Sequence, residues 1–465
     1  NTSGRVIQEM LGGALEPGPI DWDARREALT AGFYRPGDGD RAKFVRIDKR
    51  RNALLIQALG GRFRYPKDMA SGRITMTVEA AKRASGPKFC VDEETEILTD
   101  SGWKKWDVVS AGDAAPCFDL ARRALVPGSV SAVNVFSGAD AILLRAGKAE
   151  FVFTPNHRCV VMQGKSISPR RHLEIREAIS LDGHSMLLGQ AEYLGNETES
   201  LDDWFVRLCA WVVAEGHLRR DRSQALVWQS ETANPQYVAD LDELLAGRAS
   251  RYRRPDGMIL WRISGALDGA LREWIPGKDL ARLARSLSAR QARLFLYEFI
   301  RGDGSWAGNA QIPTPGKMVD PVEFWLPSRD KSPGPVISQL SRITIDQLQW
   351  ISVIAGIRST VFAGTPSPKS GRVGSRLHLR RHGNGYWLNV ATRQPVSGIR
   401  VWCPTTTHGT WVARRRGRVF ITGNSGVPDA LAYGLSVMYP AAEWIRRAVR
   451  RPVPPAPRPR SWVGA

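Results

Sequence analysis

Apolar positions along the 465-residue chain change their spacing several times. Residues 1–89 mix polar helix and turn signals and end in the extended-looking run Arg73-Ile74-Thr75-Met76-Thr77-Val78. From Cys90 to about Gly189 short strand-like runs alternate with turn residues, which predicts an all-β unit. The runs are Glu96–Thr99, Ala132–Phe136, Ala141–Arg145, Phe151–Thr154 and Cys159–Met162. From about Asp202 to Val361 the period lengthens, and Leu201–Ala214, Ala289–Ile300 and Asp346–Gly356 read as helices. The β texture returns from Trp387 to Thr422. Beyond Arg451, Pro452, Pro454, Pro455, Pro457 and Pro459 predict an extended or disordered tail. The order is an outer piece, a β unit, an α-rich insert, more β, and an outer piece. A β fold split this way needs the ends of its insert close together, which loops on compact domains permit.

The length allows two to four domains, each with its own core. No apolar run approaches the ~20 residues that span a bilayer. The start at Asn1 has no charged-then-apolar leader, so no secretion signal is expected, and it fits a fragment of a longer reading frame. Net charge is +20, from 53 Arg and 13 Lys against 46 acids. That excess fits either GC-rich codons or an anionic partner, most simply nucleic acid; charge alone favours neither. No strongly amphipathic basic helix stands out, which disfavours a membrane surface. Five cysteines (Cys90, Cys117, Cys159, Cys209, Cys403) without C-x-x-C spacing argue against a disulfide framework or zinc site. They read as reduced and cytosolic, with one or two reactive.

Four short blocks carry candidate chemistry. Cys90-Val-Asp-Glu-Glu-Thr95-Glu-Ile97-Leu-Thr99 precedes Gly102; Phe153-Thr154-Pro155-Asn156-His157 follows. Near the end come Val401-Trp402-Cys403-Pro404 with His408-Gly-Thr-Trp411, then Val419-Phe420-Ile421-Thr422-Gly423-Asn424-Ser425. Each alone reads equally as a core cysteine or a turn, but the set, in this order, resembles the blocks of inteins. The resemblance covers Cys90 to Asn424. It implies that Cys90 attacks the Phe89 carbonyl to give a thioester. It also implies that His157 donates to the departing nitrogen, while Thr154 and Asn156 hold the scissile carbonyl. Ser425 would then take the acyl group, Asn424 would cyclise, and an O-to-N shift would join Phe89 to Ser425, with no cofactor.

Two positions depart from that family. Gly423 stands where it usually has His, which points to His408 as a substitute in Asn424 cyclisation or to slow final cleavage. Cys403 stands where it usually has Asp; it reads either as an accessory residue tuning His408 or Cys90, or as a buried strand cysteine.

Within the insert, Leu208-Cys-Ala-Trp-Val-Val-Ala-Glu215-Gly216 and Leu296-Tyr-Glu-Phe-Ile-Arg-Gly-Asp303-Gly304 resemble the two LAGLIDADG motifs of homing endonucleases. Ala210, Ala214, Gly216, Gly302 and Gly304 would let two such helices approach closely. Glu215 and Asp303 would then meet near a pseudo-two-fold axis and suit Mg²⁺ over a scissile phosphate. Lys278, in Ile275-Pro-Gly-Lys278, either acts on water or phosphate there or is a solvated lysine. Arg251, Arg253, Arg254, Arg372, Arg376, Arg380 and Arg381 either contact DNA or are a solvated face. Asp346-Gln-Leu-Gln-Trp-Ile resembles a late helix of the same domain.

Splicing would join Gly86-Pro-Lys-Phe89 to Ser425-Gly-Val-Pro-Asp429-Ala-Leu-Ala-Tyr433. With Asn52–Tyr65, this resembles the nuclease region of phage terminase large subunits, where Asp429 would hold one of two metals. The implied fold is a β-rich, horseshoe-like Hint splicing domain (90–195 and 388–424) with an inserted α+β LAGLIDADG endonuclease (196–387). Flanking α/β host fragments occupy 1–89 and 425–465. The implied partner is double-stranded DNA of the uninterrupted host gene, cut with Mg²⁺ by a monomer in the cytoplasm of a bacterial cell, with no membrane role. Two rivals stand beside this reading: a catalytically dead DNA-binding insert, and a domain that cleaves without ligating. Asn424 before Ser425 argues against the second.

Overall fold

The computed structural model describes residues 89–164, 172–196, 198–219, 221, 223–306, 324–325, 334–366, 371–380, 383–389 and 391–423. Asn424, Ser425, Asp429, Arg381 and the segment Asn52–Tyr65 lie outside the described residues. Pro87–Gly426 forms one compact unit. Among the described residues no helix is long and apolar enough to cross a membrane.

The first β stretch holds β1 (Val91–Asp92), β2 (Glu96–Thr99), β3 (Gly102–Lys104), β4 (Ala114–Asp119), β5 (Ala124–Ala146) and β6 (Ala149–Phe153). It continues with β7 (Arg158–Gln163), β8 (His172–Glu177) and β9 (Ser185–Leu188). The insert opens with α1 (Asp203–Glu215), β10 (Gly216–Arg219), β11 (Gln224–Ser230), α2 (Pro235–Leu244), β12 (Ser250–Arg253) and β13 (Met258–Ser264). After α3 (Ala266–Trp274) and α4 (Ala281–Ser286) a similar series runs α5 (Ala289–Asp303), β14 (Gly304–Trp306), β15 (Pro335–Gln339), α6 (Arg342–Ile354), β16 (Arg358–Pro366) and β17 (Val373–Arg380). The chain closes with β18 (Gly385–Trp387), β19 (Thr392–Thr406), β20 (Thr410–Arg415) and β21 (Arg418–Gly423).

A five-stranded sheet has the order β19-β1-β6-β5-β4. Its backbone is the long β5–β19 pair, whose register shifts near Val396, Ile399 and Thr405, the kind of irregularity that bends and twists a strand. The core beneath it is aromatic: Phe420 meets Phe151 and Phe153 edge to face at 5.0 and 5.9 Å. Trp402 and Trp411 are fully buried beside them.

Each half of the insert has a helix that ends in an acid and turns at a glycine into a strand. A Cβ at Gly216 or Gly304 would lie 2.6 or 2.5 Å from the carbonyl four residues back, so the turn requires glycine. α1 is buried on all sides, with Val206, Leu208, Cys209, Ala210, Trp211 and Val212 at 0% exposure. That pattern fits a helix at the centre of a core rather than on a surface. It packs on α5 around one buried carboxylate: Glu298 accepts from Arg207 (2.8 Å), Trp211 Nε1 (3.0 Å) and Arg301 (2.9 Å). A buried charge is tolerable only when paired in this way.

The insert and the β part share hydrogen bonds. A twelve-stranded sheet runs β14-β15-β17-β16-β21-β20-β2-β3, so strands of the insert continue into strands of the β part. At the seam Thr360 pairs with Arg418, and Val361 N–H donates to the Gly417 carbonyl at 2.9 Å. Gly417 has φ 76°, and a Cβ there would lie 2.2 Å from the Val361 carbonyl oxygen. Helix α6 adds Gln349 Nε2 to the same carbonyl at 2.9 Å, and Asp346 to the buried Arg414, which also holds Glu96 at 2.6 Å. The sequence expectation of two separate domains therefore meets a joint with shared strands. β18, inside the expected insert boundary, pairs with β9.

Candidate active sites

The first site gathers around β1, which lies between β19 and β6; Val91 faces both Trp402 and Phe153. Cys90, one residue earlier, is fully buried beside Cys403. Thr154 clamps its backbone. The Cys90 N–H donates to Thr154 Oγ1 at 3.0 Å, and the Cys90 carbonyl accepts the Thr154 N–H at 3.0 Å. Thr154 was expected on the scissile carbonyl; it sits instead on the nitrogen side of the Phe89–Cys90 amide. The cause is the second bond, which ties the Thr154 backbone to Cys90 and carries its hydroxyl under the amide nitrogen.

Phe89 has φ 61°, a left-handed conformation that costs a bulky residue on the order of 1–3 kcal/mol. Its ring lies under the Arg158 guanidinium at 5.2 Å. The strain therefore sits on the residue whose carbonyl Cys90 would attack.

His157 is fully buried and stacked on Phe153 at 4.7 Å. Burial pushes its pKa down to about 3, only partly opposed by the Phe89 backbone, so the ring is neutral near pH 7. Nε2 lies 2.6 Å from Thr422 Oγ1, while Nδ1 is buried without a hydrogen-bond partner. Thr422 Oγ1 also lies 3.2 Å from the Arg158 carbonyl. When the hydroxyl donates to that carbonyl, Nε2–H donates to Oγ1 and Nδ1 keeps a lone pair. When the hydroxyl donates to Nε2, Nδ1 carries the proton. Thr422 thus sets whether a neutral His157 presents a base or an acid. Sequence reading quoted the block containing Thr422 without singling it out; its alternation with Phe420 along the strand was the available signal. Asn156 is half-buried, and its Oδ1 is buried with no partner.

The contact with the Cys403 sulfur, together with burial, pushes the Cys90 thiol far up. Cys403, 4% exposed, therefore belongs with Cys90 rather than with His408. His408 is exposed in the β19–β20 turn. It is one of the weaker influences lowering Asp119, after the Arg122 backbone N–H. Gly423 is hemmed in: a Cβ there would lie 2.9 Å from the Arg158 carbonyl oxygen and 3.4 Å from that of Gly409. The histidine common in the intein pattern has no room at this position without a backbone shift.

The second site lies where α1 and α5 end. A Cβ on Gly302 would lie 2.7 Å from Ala214 Cβ and 3.3 Å from Glu215 Cγ, so the small residues do allow close approach. Glu215 is pushed up by burial and by Asp303. Asp303 is pushed up to about 6, chiefly by burial, and accepts from Gln339. Lys278 donates to the Val213 carbonyl at 3.0 Å, and its ammonium interacts with both acids; burial lowers its pKa. It sits at φ 72° after Gly277 at φ 60°. A half-buried Glu215 raised by the neighbouring Asp303, which is exposed at its helix end, makes a pair of carboxylates that fits a divalent cation. Among the described residues no group of three or more His, Cys, Asp or Glu clusters as a metal site, so water or substrate oxygens would complete the shell.

No family model and no curated protein matches the chain. Solved structures of two kinds resemble parts of it. The AceL NrdHF class 3 split intein is 14% identical over 22% of this chain and 63% of its own, with TM-score 0.19. The chain thus spans less than two thirds of that protein. A bacterial intein-like domain from Clostridium thermocellum is 20% identical over 22% and 67%, with TM-score 0.18. I-DmoI in complex with its target DNA is 13% identical over 38% and 89%, with TM-score 0.25.

Proposed function

We propose that the chain excises residues 90–424 from itself and ligates Phe89 to Ser425, and that its insert is a Mg²⁺-dependent, site-specific double-strand DNA endonuclease. The observation that carries the splicing reading is the scissile amide itself: a left-handed Phe89, a Cys90 N–H bound by Thr154, and a buried neutral His157 on which the Phe89 backbone acts. Cys90 Sγ attacks the Phe89 carbonyl carbon, the C–N bond breaks, and the thiol proton ends on the Cys90 amine. Thr154 fixes the leaving nitrogen, and His157 relays the proton. Ser425 Oγ then displaces the thiol, Asn424 Nδ2 closes on its own carbonyl and cuts the Asn424–Ser425 bond, and the ester shifts to an amide. His408 stays the candidate to assist that closure, because Thr410 pairs with Gly423 and brings its turn alongside the strand end.

In the endonuclease, Glu215 and Asp303 would hold the cation, which supplies charge stabilisation at the scissile phosphate when bound. Lys278, whose ammonium interacts with both acids, would act on a water or the phosphate. The test of the whole reading is a gel of freshly expressed chain. Precursor should give way to a 335-residue product and a ligated host fragment. Stable precursor with no products would overturn it, and cleavage without ligated host would favour the autoprocessing rival.

The flanks 1–89 and 425–465 are read as pieces of a phage terminase large subunit, with Asp429 a metal ligand of its nuclease. With the upstream host domains restored, unspliced protein should be nuclease-dead and ligated protein active. Equal cutting by both would remove Asp429 as a ligand.

A further inference from the structure

The seam between insert and β part gathers like charge, with Glu150 the one carboxylate that acts on Arg418 among the described residues. On the face of the twelve-stranded sheet turned away from α6, cross-strand partners form two neighbouring rows. Arg358 pairs with Arg380 in one, and His378 pairs with Thr360, which pairs with Arg418, in the next. The opposite face, with Ser359, Val361, Leu377 and Leu379, is buried in the core. Arg380 is exposed, and Arg358, His378 and Arg418 are half-buried.

Among the described residues none of these three arginines makes an ion pair with a carboxylate. Arg418 rests over the Phe362 ring at 5.5 Å, and Arg358 over Tyr386 at 5.3 Å, with Nη1 donating to the Gly385 carbonyl and Nε unpartnered. Arg380 acts on both of them, and on His378, as a like charge. Elsewhere the chain pairs its arginines readily, as at Arg290 with Glu199 and Asp203, and at Arg416 with Glu94. Three arginines and a histidine gathered on one sheet face, with Arg380 acting on the others as a like charge, fit an anion from outside.

Arg418 does not belong to the insert. It opens β21, the strand that leads to Thr422 and the C-terminal splice junction. We propose that DNA bound by the insert also lies across this seam, with one backbone phosphate held by Arg418 of the splicing fold together with Arg380 and Arg358. The proposal rests on the endonuclease reading and adds the splicing fold as a DNA-binding surface. Its position can be counted off the sheet. β14 starts beside Asp303, and four strand steps separate it from β21. At about 4.8 Å per step this is about 19 Å. At about 3.4 Å per base pair it places the phosphate about six base pairs from the cut.

The test uses the full chain and a 40-base-pair duplex (about four helical turns) encoding the uninterrupted host junction. Arg418→Ala should weaken binding about 3- to 10-fold at moderate salt and lower the slope of log K against log salt by about one. Backbone protection about six base pairs from the cut should vanish while protection nearer the cut persists. Arg418→Lys should keep the salt slope yet lose part of the affinity, because the planar fork is gone. Splicing yield and thermal midpoint report whether either variant is simply misfolded, and both should match the parent. Parental affinity, slope and footprint in Arg418→Ala would overturn the proposal while leaving the endonuclease reading intact. A parent chain that binds no duplex at all would overturn both.

Discussion

Cys90→Ala is expected to abolish the ligated host product, a loss of at least the order of 10³-fold set by gel detection. The substitution removes one sulfur atom, and without it no thioester forms. The buried neighbours Val401, Ala139 and Cys403 leave room for a methyl group, so the fold should hold. Asn424→Ala should instead stop C-terminal cleavage and let the branched ester between Phe89 and Ser425 accumulate as a slow-migrating species. Ligated host at the parental rate from Cys90→Ala would sink the nucleophile assignment. A freed C-terminal piece from Asn424→Ala would sink the cyclisation step. The Cys90–Cys403 contact sharpens the first result: Cys403 is close enough to be suspected as a substitute nucleophile, so the double variant with Cys403→Ala is the control.

Glu215→Gln and Asp303→Asn should each remove DNA cutting, by roughly 10³-fold or more, since each deletes a charge that a bound cation needs. Splicing should continue, because both changes preserve size. The raised acids also fix a pH dependence. Asp303 holds its proton up to about pH 6, so protons compete with the cation below that value, and Mg²⁺ binding and cutting should fall as pH drops through it. For stability the sign is opposite. A carboxyl whose folded pKa lies above its unfolded value contributes stability at low pH that is lost as pH rises through about 6. Mg²⁺ should restore it, so the thermal midpoint should rise on adding Mg²⁺ at pH 8 and barely move at pH 5. Cutting by either variant at the parental rate would remove that acid from the site, whereas a parent that never cuts and a midpoint indifferent to Mg²⁺ at pH 8 would favour a passive DNA-binding insert.

The runs named from the pattern fall on elements because local periodicity is local physics. The run Glu96–Thr99 is β2 to the residue, and the apolar stretch Ala289–Ile300 is the body of α5. Ala132–Phe136 and Ala141–Arg145 looked like two strands because Ser137-Gly138 reads as a turn. They form one 23-residue strand, since β19 pairs along most of its length and carries the irregularity as register shifts. What pattern could not supply was anything set by long-range pairing. The Cys90–Cys403 contact, the Thr422 hydroxyl on His157 and the Thr154 bond to the amide nitrogen each join residues 64 or more positions apart. The burial of Glu298 is likewise set by Arg207 and Trp211, which reach it from the other helix.

The shared sheet also bears on how such an element ages. Point mutation at Glu215 or Asp303 would silence the insert at no cost to the rest of the chain. Outright deletion is another matter. Val412, Val419 and Ile421 of the β part are buried in the same apolar cluster as Trp350, Val353 and Ile354 of α6. Arg414 would lose Asp346, and the Gly417 carbonyl would lose both of its donors. A shortened descendant would inherit an uncovered apolar strip and a raw strand edge right beside its splice junction. Decay by substitution is therefore the easier route, and a silent insert of full length is the fossil this architecture favours.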